Sequence, residues 1–126
     1  MKKINTENAP AAIGPYSQAV ITNNTLFTAG QIPLDPKTMK LVGETIEEQT
    51  TQVLRNLDAI LNEAGTSWQQ VIKTTVFLTN LTDFAQMNKI YSDFLNDAKP
   101  ARSTVQVAAL PLGAKIEIEL VAELPN

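Results

Sequence analysis

The sequence contains neither cysteine nor histidine. Their absence excludes disulfide bonds, thiolate nucleophiles, Ser-His and Cys-His catalytic arrangements, and the usual zinc sites. Any catalysis by this chain must therefore use carboxylates, Arg, Lys, Tyr, Ser or Thr, backbone groups and water, so we expect neither a metal nor a cofactor. The lack of cysteine is also compatible with the reducing cytoplasm.

Positive charge, aromatic residues and long apolar runs are scarce as well. Ten basic residues face 13 acidic ones, giving a net charge of −3, and 6% of the residues are aromatic. Nucleic-acid binding relies on Lys and Arg to neutralise phosphates, so a nucleic-acid partner is not expected. Polar residues follow Lys3 directly, where a signal peptide needs apolar ones, and no apolar run could span a bilayer. We predict a cytoplasmic protein.

Two helices are predicted from capping signals and apolar spacing. Thr45 and Glu48 match the capping box, and Gly65 ends the periodic pattern that follows. A second helix begins near Thr82 or Asp83 and ends before Pro100. Its predicted core-facing residues are Phe84, Met87, Ile90, Tyr91, Phe94 and Leu95.

Strands are predicted on either side of these helices. Asn23-Asn24 is a plausible hairpin turn between residues 18–22 and 26–29. Val71–Leu78 is apolar on both faces and is typical of an interior strand. We predict that its Ile72, Val76 and Leu78 share one face, and Val71 and Phe77 the other.

The predicted element order is βββαβαββ, an α+β pattern in a single domain spanning residues 1–126. Two helices cover only one face of such a mixed sheet. The other face exposes Val71, Phe77 and Val121, an apolar patch that self-association would cover.

The best candidate site lies on two closing strands that we expect to be neighbours. Arg102 follows Pro100 at a loop-to-strand boundary, and its forked guanidinium suits a carboxylate. Arg55 points away from the apolar stripe of its helix and is expected in solvent. Glu117 and Glu119 share one face of an alternating strand, either as an acid/base pair or as a solvated face. From the residues alone, Arg102 also fits a surface or interface salt bridge.

Three further positions are candidates for a binding pocket. Tyr16 follows a Gly-Pro turn and offers a ring and a hydroxyl, although it also fits simple loop packing. Gly30-Gln31 can bring a backbone N–H close to a ligand, because glycine lacks a side chain. Asn88 lies on the second helix and reads ordinarily as a polar helix residue.

Several segments together resemble the Rid family, the reactive intermediate deaminases also called YjgF-like proteins, and within it the RidA subgroup. The run PARSTVQVAALP followed by KIEIE is similar to the C-terminal family signature. In family order, the other similar segments are IGPYSQAV at 13–20, TAGQIPLDP at 28–36 and VIKTTVFLTNLTDFAQMN at 71–88. The resemblance covers nearly the whole chain.

The resemblance implies a chorismate-mutase-like domain that forms a homotrimer around a barrel-like core, with active sites between subunits. It implies that Arg102 binds the substrate carboxylate and that Glu117 positions a water. It also places Tyr16, Gly30, Gln31, Asn88 and Thr104 at the substrate pocket. Two positions depart from the common family pattern: Ala29, where many members have serine, and Thr104, where many have cysteine. The backbone carbonyl of residue 104 still offers an acceptor.

The implied activity is a cofactor-independent 2-iminobutanoate/2-iminopropanoate deaminase, hydrolysing the enamines 2-aminoacrylate and 2-aminocrotonate, through their imines, to 2-oxo acids and ammonia. A non-catalytic small-metabolite binder or regulator on the same scaffold is the main alternative. An RNA-acting translation inhibitor fits this acidic chain poorly. Chorismate-mutase activity is suggested by fold analogy alone. Its substrate carries two negative charges, and a single available arginine is poorly suited to bind it.

Overall fold

The computed structural model describes residues 1–125 and contains one six-stranded sheet with two α-helices. The strands are β1 (Lys2–Ile4), β2 (Ala19–Thr22), β3 (Thr25–Thr28), β4 (Val71–Leu78), β5 (Ala101–Gln106) and β6 (Ile116–Glu123), and the helices are α1 (Ile46–Ala64) and α2 (Phe84–Leu95). The predicted α+β class and the order βββαβαββ are confirmed.

The strand order across the sheet is β1-β2-β3-β6-β4-β5. β4 and β5 are parallel, joined by the α2 crossover, and every other pair is antiparallel. The expectation that the Arg102 and Glu117 strands are neighbours is wrong, because β4 lies between them. β6 pairs with one side of β4 and β5 pairs with the other side, so β5 is the last strand of the sheet.

Local signals fix the first helix and the first hairpin as predicted. The N–H of Glu48 donates to Thr45 Oγ1 at 3.1 Å, the N–H of Thr45 donates to Glu48 Oε1 at 3.2 Å, and Gly65 closes α1 with a φ of 80°. Asn23 and Asn24 connect β2 to β3 with φ values of 48° and 64°. Two consecutive positive φ angles match the twist that a two-residue hairpin requires.

The core lies between the helices and one face of the sheet. Val53, Leu54 and Leu57 of α1 are fully buried. The inward residues of β6 pack in the same cluster: Ile116, Ile118, Leu120 and Ala122. Alternate residues of β6, including Glu117 and Glu119, face the opposite side, as the strict alternation predicted.

Three predicted side-chain orientations are wrong. The register between β4 and β6 shifts between Val71 and Lys73, so Val71 is buried and Ile72 is 48% exposed. A bulge of this kind turns one side chain to the other face of the sheet. A prediction that assumes strict alternation of side chains along the strand therefore misses it. Phe84, expected in the core, is 38% exposed at the start of α2.

The sheet face without helices is partly apolar. Phe27 is 43% exposed and Val105 is 42% exposed, and the half-buried Phe77 and Val121 lie on the same face by strand register. This face matches the predicted patch, except that Val71 does not contribute to it. Within residues 1–125, none of the helices has the length and hydropathy needed to cross a membrane.

Candidate active site

The candidate residues divide between the two faces of the sheet. Arg102 pairs with Thr74, which pairs with the buried Leu120 on the helix-covered side. Glu117 pairs with Phe77 on the open side. Directly paired residues share a face, so Arg102 and Glu117 project in opposite directions.

Glu117 lies in a cavity of about 320 Å³, here called the Glu117 cavity. It brings together four of the predicted site residues, Tyr16, Gly30, Gln31 and Glu117. Apolar side chains supply much of the remaining wall: Ile13, Ile32, Leu34, Met39 and Leu112.

The Glu117 carboxyl lies against the backbone of Gly30. A Cβ added at Gly30 would stand 2.8 Å from Glu117 Cδ and would collide with the carboxyl oxygen. Burial raises the pKa of Glu117 above its usual range, and the nearby charge of Glu119 raises that pKa further. A carboxyl with a raised pKa holds a proton more tightly than an ordinary carboxylate, which favours it as a group that accepts a proton from water.

Tyr16 and Gln31 line the same cavity in different ways. The Tyr16 side chain is 55% exposed, and its N–H donates to the Gly14 carbonyl at 2.9 Å. The Gln31 N–H donates to the carbonyl of Ile118 at 2.8 Å. The Gln31 N–H is therefore paired within the sheet, and Gly30 is the residue of the predicted pair whose backbone lies against the Glu117 carboxyl.

Gln18 is a cavity residue that the sequence analysis missed. Its side chain is 1% exposed, and its Oε1 accepts from the N–H of Thr6 at 2.7 Å. Its Nε2 donates to the carbonyls of Thr6 at 3.0 Å and Pro10 at 2.8 Å. One side chain thus ties residues 6–10 to β2. The signal that the sequence offered for this role was a glutamine directly before Ala19, the residue that opens β2.

Arg102 lines a second cavity of about 310 Å³ on the other side of the sheet, here called the Arg102 cavity. Its Nη1 donates to Asn88 Oδ1 at 2.8 Å. Its Cζ lies 5.4 Å from the ring centroid of Phe84 and 4.8 Å from that of Tyr91. The structure therefore brings Asn88 and Arg102 together, and it adds two aromatic rings that the sequence analysis assigned only to the core.

Tyr91 links this cavity to the sheet. Its hydroxyl lies 2.8 Å from Thr74 Oγ1, and its side chain is 7% exposed. Burial raises the pKa of Tyr91, while the Thr74 hydrogen bond and the charge of Arg102 act in the opposite direction. The phenol is therefore a neutral hydrogen-bonding group over the physiological range.

Thr104 lies two residues beyond Arg102, on the same face of β5. Its Oγ1 is buried and has no hydrogen-bond partner within residues 1–125. Thr104 lines neither the Glu117 cavity nor the Arg102 cavity. Thr104 thus buries a hydroxyl whose hydrogen-bonding capacity is not used by the described residues.

Arg55 lies outside both the Glu117 cavity and the Arg102 cavity. Arg55 is exposed on α1, as predicted, at a shallow cavity that also contains Asp58 and Glu63. Among residues 1–125, no three His, Cys, Asp or Glu side chains are grouped closely enough to hold a metal ion.

Comparison with known proteins identifies the family. A family model described as endoribonuclease L-PSP matches residues 6–124. The chain is 52% identical over 121 residues to the chloroplastic Reactive Intermediate Deaminase A of Arabidopsis thaliana, covering 96% of this chain and 65% of that protein.

Two solved structures match the fold over almost the full length. A Rid family protein from Yersinia pestis has a TM-score of 0.96 at 52% identity, covering 98% of each chain. TdcF from E. coli, solved with bound serine, has a TM-score of 0.94 at 43% identity, covering 99% of this chain and all of that one. The chain therefore belongs to the Rid (YjgF-like) family.

Proposed function

We propose that this protein is an enamine/imine deaminase. It takes 2-aminoacrylate and 2-aminocrotonate, which tautomerise to 2-iminopropanoate and 2-iminobutanoate, and hydrolyses the imines to pyruvate and 2-oxobutyrate with release of ammonia. One observation carries the proposal: the two groups that such a reaction needs lie in two separate cavities of the chain. A guanidinium suited to a carboxylate lies on one face of the sheet, and a proton-transferring carboxyl lies on the other.

A complete site then requires two copies of the chain. Arg102 and Glu117 project from opposite faces, so one small molecule contacts both only where the Arg102 face of one copy meets the Glu117 cavity of another. The exposed Phe27 and Val105 give the open sheet face an apolar surface for that contact. The proposed assembly is the homotrimer implied by the family resemblance.

In this site, Arg102 holds the substrate carboxylate through a charge-assisted fork. Glu117 accepts a proton from water as the water oxygen bonds to C2 of the imine, and passes that proton to the imine nitrogen to give a carbinolamine. In its collapse, Glu117 takes the proton of the C2 hydroxyl and gives it to the amine as the C–N bond breaks, so ammonia leaves and the C2 oxygen becomes the keto group. Tyr16 and Gly30 line the same cavity as the carboxyl and bound the space for the substrate. The residues carry out the whole sequence without a cofactor.

Two relatives support this substrate class from different directions. The Arabidopsis relative is named a reactive intermediate deaminase, and TdcF was solved with serine, a small amino acid with a carboxylate. A bound amino acid is equally compatible with the alternative function, a metabolite binder that performs no chemistry. The family description as an endoribonuclease raises RNA as a further substrate, which the net charge of −3 disfavours.

The deciding experiment generates 2-aminoacrylate in situ with a serine dehydratase and measures ammonia release with and without this protein. Faster release that is lost in Glu117→Gln supports the deaminase. No acceleration, together with saturable binding of 2-oxobutyrate, supports the metabolite binder instead. Cleavage of RNA that survives Glu117→Gln would contradict both.

A further inference from the structure

The Arg102 guanidinium is contacted by three side chains of one helix. Phe84, Asn88 and Tyr91 occupy positions i, i+4 and i+7 of α2, so they project from the same helix face. The two rings lie 5.4 and 4.8 Å from Cζ, and Asn88 accepts from Nη1 at 2.8 Å. These contacts restrict the rotamers of a side chain that is otherwise among the most flexible.

Tyr91 is the best anchored of the three. It is 7% exposed, whereas Phe84 is 38% exposed. Its hydroxyl lies 2.8 Å from the hydroxyl of Thr74, which is fully buried. Thr74 is also the residue directly opposite Arg102 in the pairing of β4 with β5. The phenol therefore joins α2 to the strand beside Arg102.

We infer that Tyr91 is a positioning residue for Arg102: its ring, fixed by the bond to Thr74, sets the orientation in which the guanidinium meets an anion. Phe84 flanks the guanidinium from the more exposed end of α2. Identifying that anion as the substrate carboxylate rests on the proposed function, but the ordering of Arg102 does not.

The physical benefit of such positioning is a smaller ordering cost on binding. A guanidinium already held over a ring gives up fewer rotamers when it forms a fork with a carboxylate. The same contact is made with substrate and with transition state, so its loss weakens binding uniformly. The expected signature is a raised KM with little change in kcat.

Nuclear magnetic resonance tests the ordering without reference to activity. The chain has two arginines, so Arg55→Lys leaves Arg102 as the source of the single arginine side-chain signal. In that background we expect a guanidinium resonance displaced by the ring currents of Tyr91 and Phe84. Tyr91→Leu should return it toward the position of free arginine, whereas Tyr91→Phe, which keeps the ring but loses the bond to Thr74, should return it only part of the way.

Steady-state kinetics then tests the consequence. We expect Tyr91→Leu to raise KM about tenfold with kcat within about twofold, and Tyr91→Phe to restore KM to within about threefold of the parent. Phe94→Leu is the matched control, because Phe94 lies on the same helix with its ring 5.8 Å from that of Trp68 and away from Arg102. That variant should leave both KM and the Arg102 resonance unchanged.

The outcomes separate this inference from the proposed function. A displaced resonance that Tyr91→Leu abolishes supports the positioning role even if the protein deaminates nothing. An Arg102 resonance that matches free arginine in the parent, or that Tyr91→Leu leaves in place, overturns it. A fall in kcat at constant KM in Tyr91→Leu also overturns it, because that is the signature of a smaller folded fraction.

Discussion

Arg102 and Arg55 are the two arginines of the chain, and their surroundings differ. Arg102 is partly buried against α2 with one of its nitrogens bonded to Asn88, whereas Arg55 is exposed on α1. This contrast gives any substitution at Arg102 an internal control of the same residue type.

We expect Arg102→Ala to lower kcat/KM at least about a hundredfold, because it removes a charge-assisted fork and misplaces the imine carbon. Arg102→Lys should lose less, since it keeps the charge without the planar geometry. Arg55→Ala should change little. Ammonia release measures all three, and parental activity in an assembled Arg102→Ala protein would refute the assignment.

A Gly30→Ala substitution tests whether the Glu117 carboxyl lies against the backbone of residue 30. A Cβ there would collide with the Glu117 carboxyl, so Gly30→Ala should lower activity at least about tenfold and cost about 1–3 kcal/mol of stability. The double variant Gly30→Ala/Glu117→Ala removes the obstructing carboxyl and should recover the stability but not the activity. If denaturant titration shows no recovery in the double variant, the cost comes from the backbone instead.

Glu117 also predicts a pH dependence of stability. Its pKa is raised in the folded state, so the folded state holds the proton more tightly than the unfolded state does. The stabilisation this gives is fully present below the unfolded-state pKa and is lost as pH rises through the higher folded-state pKa. Glu117→Gln cannot lose a proton at this position, so its stability should not fall with pH in this way. We therefore expect the variant to be at least as stable as the parent protein at pH 7.

Thermal unfolding of both proteins from pH 4 to pH 7 measures this difference. Glu119→Gln is the control: it removes the neighbouring charge, the smaller cause of the raised pKa, and should give a partial effect. Parallel pH profiles for the parent and Glu117→Gln would mean that Glu117 does not titrate abnormally.

At the scale of elements, local signals predicted boundaries well and long-range pairing poorly. The capping box at Thr45, the stop at Gly65 and the turn at Asn23-Asn24 depend on residues close in sequence, and all three are confirmed. The placement of β4 between β5 and β6 depends on which strands pair across the chain, and no local pattern encodes that choice. The opposite directions of Arg102 and Glu117 follow from that pairing and were therefore missed.

Helix α1 contains a buried hydroxyl that tests the cost of an unpaired polar group. Thr50 is fully buried, and its Oγ1 has no hydrogen-bond partner within residues 1–125. Thr50→Val keeps the shape and removes the hydroxyl, so it should raise the free energy of unfolding by about 1 kcal/mol.

The matched control is Thr66, which is 8% exposed and donates to the Glu123 carbonyl at 2.7 Å. Thr66→Val should lower the free energy of unfolding by about 1 kcal/mol, because it removes that hydrogen bond. Denaturant midpoints of the two variants should therefore move in opposite directions. A loss of stability in Thr50→Val would show that its hydroxyl is satisfied in solution.

For the whole molecule, the division of Arg102 and Glu117 between opposite faces predicts complementation between inactive variants. In a homotrimer with sites between subunits, Arg102→Ala and Glu117→Gln chains mixed at equal amounts combine at random. About a quarter of the sites then receive an intact Arg102 and an intact Glu117. We expect about a quarter of the parental kcat after the two variants are unfolded and refolded together, with a trimeric mass by light scattering.

Each variant refolded alone is the baseline for this experiment. Activity in the mixture that equals the sum of the separate baselines would mean that each site draws both residues from one chain. A monomeric mass at micromolar concentration would contradict the assembly itself.

Gln18 also determines how fast the start of the chain exchanges its amide hydrogens. Residues 6–10 carry no regular secondary structure apart from turns and bends, yet the Thr6 N–H and the carbonyls of Thr6, Ala9 and Pro10 are bonded to one buried side chain. Gln18 directly precedes β2, so releasing its side chain means disturbing the residue next to the start of that strand. The Thr6 amide should therefore exchange with deuterium as slowly as a strand residue, and proteases should cut the exposed bonds near Ile13 first.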